Sequence, residues 1–195
     1  NWEIKRCEIY MKFELYLKKP FWGLANIKNK INDKIRGICQ SIKYGSGKKL
    51  HVEGGVRLDC PNIYFGKNDT LSANVKIFGK GRVVIGDNVV IGESTVICSD
   101  LKVEIGNDSM IAAHCYITDC NHGIRANSGL MREQQRSVKE CEIENNVWIG
   151  AGCMILAGSH VKEGTVVGAN TVINKDVPEN KVIFSDRTVQ MEERR

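Results

Sequence analysis

The sequence lacks the features that mark several classes of protein. It contains only 3 Pro in 195 residues, and no apolar run approaches the roughly 20 residues that a membrane-spanning helix needs. None of its 8 Cys residues form a Cys-x-x-Cys pair, which argues against a disulfide framework or a zinc knuckle. A proline-rich disordered chain, a spanning helix and a small disulfide scaffold are therefore excluded, and the thiols are expected to be reduced, as in the cytosol.

The sequence also has few leucine residues and only a small net charge. The chain has 9 Leu against 21 Ile and 18 Val, and β-branched side chains favour strands over helices. The formal net charge is +5, from 28 Lys and Arg against 23 Asp and Glu. This mild excess fits a phosphate-bearing ligand as readily as nucleic acid, and we predict no nucleic-acid partner. No basic and apolar leader opens the chain, so we expect a cytoplasmic protein.

Residues 1–49 carry a helical pattern. Apolar residues recur at three- and four-residue spacing, and the opposite face is rich in lysine. The sequence predicts an N-terminal helical segment that packs on the main body or on a partner subunit. A second interpretation is that this basic amphipathic helix contacts the inner face of a membrane. The apolar stripe consists of Leu24, Ile27, Ile31, Ile35, Ile38 and Ile42.

From about residue 50 the apolar period changes to six residues. This period fits neither an α-helix nor alternating hairpin strands, but it fits short strands separated by turns, each pointing one aliphatic side chain into a continuous interior. Small residues such as Gly86 and Gly150 often follow the aliphatic one. The clearest runs are Ile85, Ile91 and Ile97; Ile105, Ile111 and Ile117; and Ile143, Ile149, Ile155, Val161, Val167 and Ile173.

Segments 85–90 (IGDNVV) and 147–152 (VWIGAG) resemble the hexapeptide repeat of the left-handed parallel β-helix acyltransferases. The resemblance covers residues 50–184 and leaves residues 185–195 as a C-terminal tail. It implies a mainly β fold with three hexapeptides, or 18 residues, per coil and about six coils. Between residues 50 and 80 the register is looser, since Pro61 and Tyr64-Phe65 interrupt it. We therefore expect an irregular first coil there.

The repeat fails between Ile117 and Ile143. A polar stretch without apolar rhythm fills this gap, which predicts a loop over residues 123–142 extruded from the coil. Long loops inside compact domains are usually functional or disordered, and we favour a function here. His122 lies at the root of this loop, and imidazole exchanges protons near neutral pH.

The resemblance implies roles for the residues around His122. In these acetyltransferases a His at the start of the extruded loop is the general base, so His122 would take the proton of an acceptor hydroxyl as it attacks the thioester of acetyl-CoA. Asp119 either orients the imidazole or forms an Asx turn. Asn121 is expected to bind the acceptor sugar, and Trp148 to lie near the reaction centre.

The resemblance also implies a coenzyme site between subunits of a homotrimer. Ala151 matches the position near the thioester, and Ala169, one coil later, matches a backbone contact to the pantetheine arm. Asn174 and Lys175 match the pair nearer the nucleotide. The family usually continues with a Gly-x-Pro segment that bears a second cation. This chain has Ser-Asp-Arg-Thr over 185–188 instead, so Arg187 is the candidate replacement.

A metal site is not predicted. His114, Cys115, Cys120 and His122 cluster in the sequence, but their spacing matches neither a zinc finger nor the zinc-binding histidines of a β-helix carbonic anhydrase. The resemblance implies acetyl-CoA as the co-substrate, and no metal is expected.

Segment 119–123 (DCNHG) and Trp148 resemble enzymes that decorate bacterial surface polysaccharides. The resemblance implies O-acetylation of a sugar or oligosaccharide in such a polysaccharide, for example O-antigen, capsule or exopolysaccharide. Two alternatives stay open. One is an N-acetyltransferase acting on a nucleotide-linked amino sugar. The other is a non-catalytic β-helix that serves as an assembly module and needs no base at the loop root.

Overall fold

The computed structural model describes residues 49–126 and 128–185, together with Ile31 and Ile35. The described part is mainly β and forms the predicted left-handed parallel β-helix. Ile31 and Ile35 are both helical and more than half exposed. The rest of the predicted N-terminal helix and most of the C-terminal tail, including Arg187, lie outside the described residues. Within the described ranges, no helix is long and apolar enough to cross a membrane.

The coil has three faces, which we name A, B and C in chain order. Face A contains β1 (His51–Val52), β4 (Thr70–Leu71), β7 (Val90–Ile91), β10 (Met110–Ile111), β15 (Trp148–Ile149), β18 (Val166–Val167) and β20 (Val182–Ile183). Face B contains β2 (Arg57–Asp59), β5 (Lys76–Gly79), β8 (Val96–Ser99), β11 (Tyr116–Thr118), β16 (Met154–Ile155) and β19 (Val172–Ile173). Face C contains β3 (Asn62–Tyr64), β6 (Arg82–Ile85), β9 (Lys102–Ile105), β14 (Cys141–Ile143) and β17 (His160–Val161).

The core is a column of aliphatic side chains, stacked because neighbouring strands pair in parallel register. On face A, Ile91 lies beside Ile111, and Ile111 beside Ile149. All three are essentially fully buried. Each such side chain contributes roughly 2 kcal/mol of transfer free energy relative to an exposed one, so each coil depends on the coils above and below it.

The corners of the coil explain the small residues in the repeat. A Cβ atom added to Gly150 would lie 2.6 Å from the backbone nitrogen of Ala169 in the next coil. At other corners the backbone is left-handed, as at Asn88 with φ of 60°, a conformation that Asn and Asp tolerate well. The Asn88 amide also accepts a hydrogen bond from Asn68 and donates one to Asp108 in the adjacent coils.

The coils are not all of the predicted length. Val90 pairs with Met110, a step of 20 residues, whereas Trp148 pairs with Val166, a step of 18. The two additional residues lie on face C, where β9 buries both Val103 and Ile105. A two-residue insertion preserves the inward and outward alternation of a strand, and the core column continues unbroken.

The prediction of about six coils was one coil short, because face A has seven strands. Strands β1, β2 and β3 pair in parallel with β4, β5 and β6, but the first coil is irregular by one residue: Arg57 pairs with Lys76, a step of 19, and Asn62 with Arg82, a step of 20. Pro61 precedes β3 at a corner, and Phe65 is buried in the core. The predicted irregularity is therefore confined to one residue fewer between β2 and β3, next to Pro61. The helix has about seven turns.

Asp69 is a buried acid in the second coil. Its side chain is 1% exposed, and Oδ1 accepts a hydrogen bond of 2.9 Å from the Val89 N–H. Oδ2 has no hydrogen-bond partner. Burial is the main cause that raises the pKa of Asp69 to about 7, because the carboxylate loses its hydration.

We predict that Asp69→Asn abolishes a pH dependence of stability. Aspartate in the unfolded chain has a pKa of about 3.9, so between about pH 4 and pH 7 the folded protein holds a proton that the unfolded chain has released. The wild-type free energy of unfolding should therefore fall as the pH rises through this window. Asparagine keeps the acceptor for Val89 and cannot ionise.

Urea unfolding near pH 5 and near pH 8 measures this effect. The control is Asp176→Asn, an exposed acid, which should unfold with the wild-type pH dependence. An Asp69→Asn protein with the same pH dependence as wild type would contradict the assignment.

Candidate functional site

The break in the repeat is a hairpin that leaves the coil at the corner between faces B and C. After β11 the chain forms β12 (Cys120–Asn121), which pairs antiparallel with β13 (Ser137–Val138). A short 3₁₀ turn, Met131–Glu133, lies between them. The chain then rejoins the coil at β14, which pairs with β9 and β17. The predicted loop thus contains one arm of this hairpin, and residues 141–142 already belong to the coil.

His122 follows β12 directly and is exposed. It lines a pocket of about 460 Å³ together with Arg125, Gln134, Arg136 and Ser137. The Gln134 side chain fixes this pocket by accepting the Arg125 N–H at 2.8 Å and donating to the Arg125 carbonyl at 3.1 Å. An imidazole at the edge of an open pocket of this size can reach a hydroxyl of a bound sugar.

Asp119 holds the adjacent corner together. It is fully buried, and Oδ2 accepts hydrogen bonds from Ser99 Oγ at 2.7 Å and from the Leu101 N–H at 2.9 Å. Its Oδ1 accepts the Asp100 N–H at 2.8 Å. These contacts give Asp119 a structural role in the turn of the preceding coil. Its orientation of the His122 ring stays a prediction.

The second arm of the hairpin is tied to the same corner. Arg136 Nη1 donates to Asp100 Oδ2 at 2.8 Å, and this hydrogen bond is the main cause that lowers the pKa of Asp100. Asn121 pairs with Ser137 in the antiparallel register. The next residue on one arm, His122, therefore lies opposite the preceding residue on the other arm, Arg136. The Asp100–Arg136 pair therefore braces the wall of the pocket that faces the predicted base.

The predicted coenzyme residues are divided between two edges of the coil. Ala151 lies at the corner between faces A and B, and its carbonyl accepts the Asn170 N–H of the next coil at 2.7 Å, which stacks it beside Ala169. Asn174 and Lys175 follow β19 at the corner between faces B and C and are exposed. Face B separates the two edges.

The structure therefore brings some predicted residues together and keeps others apart. Asn121 and His122 share the B–C edge with Asn174 and Lys175, two coils further on. Ala151 and Ala169 lie on the A–B edge, and Trp148 stands on face A, half exposed. One chain alone does not gather the predicted base and the predicted thioester contacts at one edge.

Sequence reasoning missed the outward faces of the coil. From β7 onward, faces A and B carry mainly apolar residues on their outside, whereas the outside of face C carries mostly charged ones, including Arg82, Lys102 and Glu104. The sequence could have shown this difference, because the residue directly before each buried aliphatic residue points outward. The exposed large apolar side chains of these strands are Val90, Met110, Trp148 and Val182 on face A, Phe78, Tyr116, Met154 and Val172 on face B, and Tyr64 alone on face C.

A second missed feature is a group of potential metal ligands on face C, formed by Glu142, Glu144 and His160. Within the described ranges it is the one group of three or more His, Cys, Asp or Glu residues whose ligand atoms converge. The sequence could have indicated this group, because residues 142 and 160 are 18 residues apart, the length of one coil, and therefore lie side by side on one face. His114, considered for zinc from the sequence, instead occupies a left-handed corner with φ of 59°.

Comparisons with known proteins identify similar repeats. The family model described as bacterial transferase hexapeptide (six repeats) matches residues 140–175, and that described as hexapeptide repeat of succinyl-transferase matches residues 82–119. The chain is 35% identical to WbbJ of Escherichia coli strain K12, whose name assigns it to lipopolysaccharide biosynthesis as an O-acetyl transferase, over 63% of this chain and 67% of that protein. It is 29% identical to galactoside O-acetyltransferase of Lactococcus lactis, over 55% of this chain and 51% of that protein.

Two solved structures share the fold. AntD, an N-acyltransferase from Bacillus cereus solved with dTDP-4-amino-4,6-dideoxyglucose and coenzyme A, is 17% identical with a TM-score of 0.69, over 82% of this chain and 89% of that one. A hexapeptide-repeat containing acetyltransferase from Vibrio cholerae is 22% identical with a TM-score of 0.55, over 88% of each chain. At these identities the likeness concerns the fold alone.

We predict that Asp119→Ala destabilises the protein by about 3 kcal/mol, because it leaves buried donors without an acceptor. The matched control is Asp100→Ala, which removes the partly exposed ion pair with Arg136 and should cost less than about 1 kcal/mol. Urea unfolding followed by circular dichroism measures both. An Asp119→Ala protein of wild-type stability would show that the turn does not depend on this carboxylate.

Proposed function

Because the chain belongs to the hexapeptide-repeat acyltransferase family, we propose that it moves an acetyl group from acetyl-CoA to a sugar hydroxyl of a bacterial surface polysaccharide. The observation that carries the proposal is the position of His122 at the root of the hairpin, on the edge of the pocket. The names of the two O-acetyltransferase relatives support the same class of reaction.

In the proposed reaction His122 is the general base. Its imidazole takes the proton of the acceptor hydroxyl, which makes the oxygen nucleophilic enough to attack a thioester carbonyl. Backbone N–H groups at the coil corners are suited to stabilise the negative charge on the tetrahedral oxygen. His122 then returns the proton to the departing sulfur, so the products are the acetylated sugar and the free thiol. Asp119 is the proposed residue that orients this imidazole, in addition to the three hydrogen bonds that it accepts in the preceding turn; a carboxylate can accept about four.

The described residues fit the donor. Segments Gly150–Gly152 and Gly168–Asn170 form neighbouring corners with small side chains, and such corners leave the backbone accessible to an extended pantetheine arm. Lys175 is exposed and can meet a phosphate of the nucleotide. Ala151 and Ala169 would contact the arm, and acetyl-CoA supplies the activated acyl group when bound. Arg187, proposed as a second cation, lies outside the described residues.

We also propose a homotrimer, because the parts of the site lie on two edges of the coil. The exposed apolar residues of faces A and B provide the surface that a neighbouring subunit can bury. In such an assembly the A–B edge of one subunit faces the B–C edge of the next. Ala151 of one chain would then lie near His122 of its neighbour.

The acceptor atom distinguishes the two proposed enzyme classes. The chain is incubated with acetyl-CoA and a panel of free sugars, repeat-unit oligosaccharides and nucleotide-linked amino sugars, and the mass gain of one acetyl group is recorded. An O-acetyl ester is cleaved by mild base, whereas an N-acetyl amide is stable. A base-labile product on an oligosaccharide supports the proposal, and a base-stable product on a nucleotide-linked amino sugar supports the alternative. No transfer to any acceptor favours the non-catalytic assembly module.

We predict that His122→Ala lowers turnover by about 100-fold or more, which is the scale of general-base catalysis, while coenzyme binding and the fold are retained. Steady-state kinetics measure turnover, and calorimetric titration with coenzyme A measures binding. Two controls are matched to this test. His51→Ala removes an exposed histidine of the first coil, and Cys120→Ser removes the thiol two residues before His122.

Both controls should keep near wild-type turnover, because transfer is direct and needs no acyl-cysteine. A His122→Ala enzyme of normal activity would remove this residue from the mechanism. Loss of activity in Cys120→Ser, with His122 intact, would favour a covalent route.

We predict a trimer in solution that Met154→Glu weakens, because this substitution places a charge in the apolar surface of face B. Light scattering combined with size exclusion measures the mass. The matched control is Val84→Glu, which places the same charge on the outside of face C and should leave the trimer intact. A wild-type monomer at assay concentration, or equal dissociation in both variants, would contradict the proposed assembly.

A further inference from the structure

We propose that Glu142, Glu144 and His160 bind a divalent transition-metal ion, such as Zn²⁺, on the outside of face C. The site is separate from the transfer reaction, and the ion is not a cofactor of it. The inference does not depend on the proposed function, because it rests on the positions and charges of these three side chains.

The register of the coil places the three ligands together. Glu142 on β14 pairs directly with His160 on β17, so their side chains are neighbours on one face. Glu144 stands two residues after Glu142 and points outward on the same side. The side chains of His160 and Glu144 are about one third exposed, 32% and 31%. This exposure is enough for an ion to enter from solvent.

The ligand atoms lie at distances that suit a metal centre. His160 Nε2 is 2.6 Å from Glu144 Oε1 and 3.7 Å from Glu142 Oε2, and all three ligand atoms lie within 4.8 Å of one another. Around a tetrahedral Zn²⁺ with bonds of about 2.0–2.1 Å, ligand atoms are about 3.3 Å apart. The two distances from His160 lie on either side of this value. A small rotation of the two carboxylates would equalise them.

A backbone group holds one ligand in place. Glu144 Oε2 accepts the Glu163 N–H at 2.9 Å, which leaves Oε1 directed at the imidazole. Outer hydrogen bonds of this kind orient metal ligands in known sites.

The charges around the group also favour a cation. On the same face Lys102 pairs with Glu104 and Glu140. The charges of Lys102 and Lys162 also act on Glu142 and Glu144 from further away, but these two carboxylates share the single imidazole of His160 as their nearest described ion-pair partner. A protonated His160 compensates one of these two negative charges. A divalent ion compensates both and takes the neutral imidazole as its third ligand, a donor set that suits zinc.

Binding would link two coils at a sensitive position. Strand β14 is where the chain rejoins the coil after the hairpin, and β17 belongs to the next coil. An ion bound to both strands stabilises the folded state by an amount that grows with ion concentration above the dissociation constant. The B–C corner that carries His122 precedes β14, so the ion would strengthen the coil next to the hairpin without contacting the pocket.

The test uses the untagged protein after removal of metals, with Zn²⁺ as the probe. We expect calorimetry to give one ion per chain at micromolar concentration and thermal unfolding to shift upward with Zn²⁺. His160→Gln and Glu142→Gln should each weaken binding by at least about 10-fold. The matched control is Glu104→Gln, a carboxylate of the same face that pairs with Lys102, and it should bind as wild type does.

Cobalt substitution separates this site from the thiols. Co²⁺ bound by Glu and His gives ligand-field bands without a sulfur-to-cobalt charge-transfer band. The proposal is overturned if Zn²⁺ does not bind at submillimolar concentration, if His160→Gln binds it unchanged, or if the cobalt spectrum shows sulfur ligation. In each of these cases the group is an ion pair between His160 and two carboxylates.

Discussion

The parallel register between successive coils is the constraint on which the rest of the structure depends. Each strand is only two to four residues long, and it pairs with strands one coil before and one coil after it. No strand is stable alone, so stability comes from stacking neighbours. The fold tolerates an insertion only where the strand after it resumes its parallel register with the preceding coil. The hairpin satisfies this condition, because Cys141 resumes pairing with Val103 on face C as though the excursion were absent.

This constraint also determines where chemistry can be placed. Inward positions are occupied by the core column, and the corners must stay small or left-handed to let the next coil approach. Functional side chains are therefore restricted to outward positions and to excursions such as the hairpin that carries His122. The resulting site parts lie on different edges of one coil. For this reason we connect the proposed transfer reaction to an assembly of several chains.

The six-residue period predicted the core column and the fold, because buried aliphatic residues repeat visibly in the sequence. The contacts between coils were harder to predict, since they depend on the length of each coil. Asp119 reaches Ser99, which is 20 residues away, and an assumed coil of 18 residues would have paired it with a different residue. The two additional residues in a coil could not be recognised from the sequence, because Val83 and Ile85 are both aliphatic and either one fits the six-residue apolar pattern. Near Pro61 the opposite change obscured the pattern, because β2 and β3 are one residue closer in sequence than β5 and β6.

The three outward faces differ in a way that the inward pattern cannot reveal. Residues such as Met154 and Val172 make face B apolar outside, and Trp148 and Met110 do the same for face A. Apolar outer faces favour contact with other subunits, whereas the charged outside of face C favours water. In the proposed trimer, face C would remain open to ions, while neighbouring subunits would close the edges on either side of face B. The same stacked coil could then hold the proposed transfer site between chains and the proposed ion site on face C.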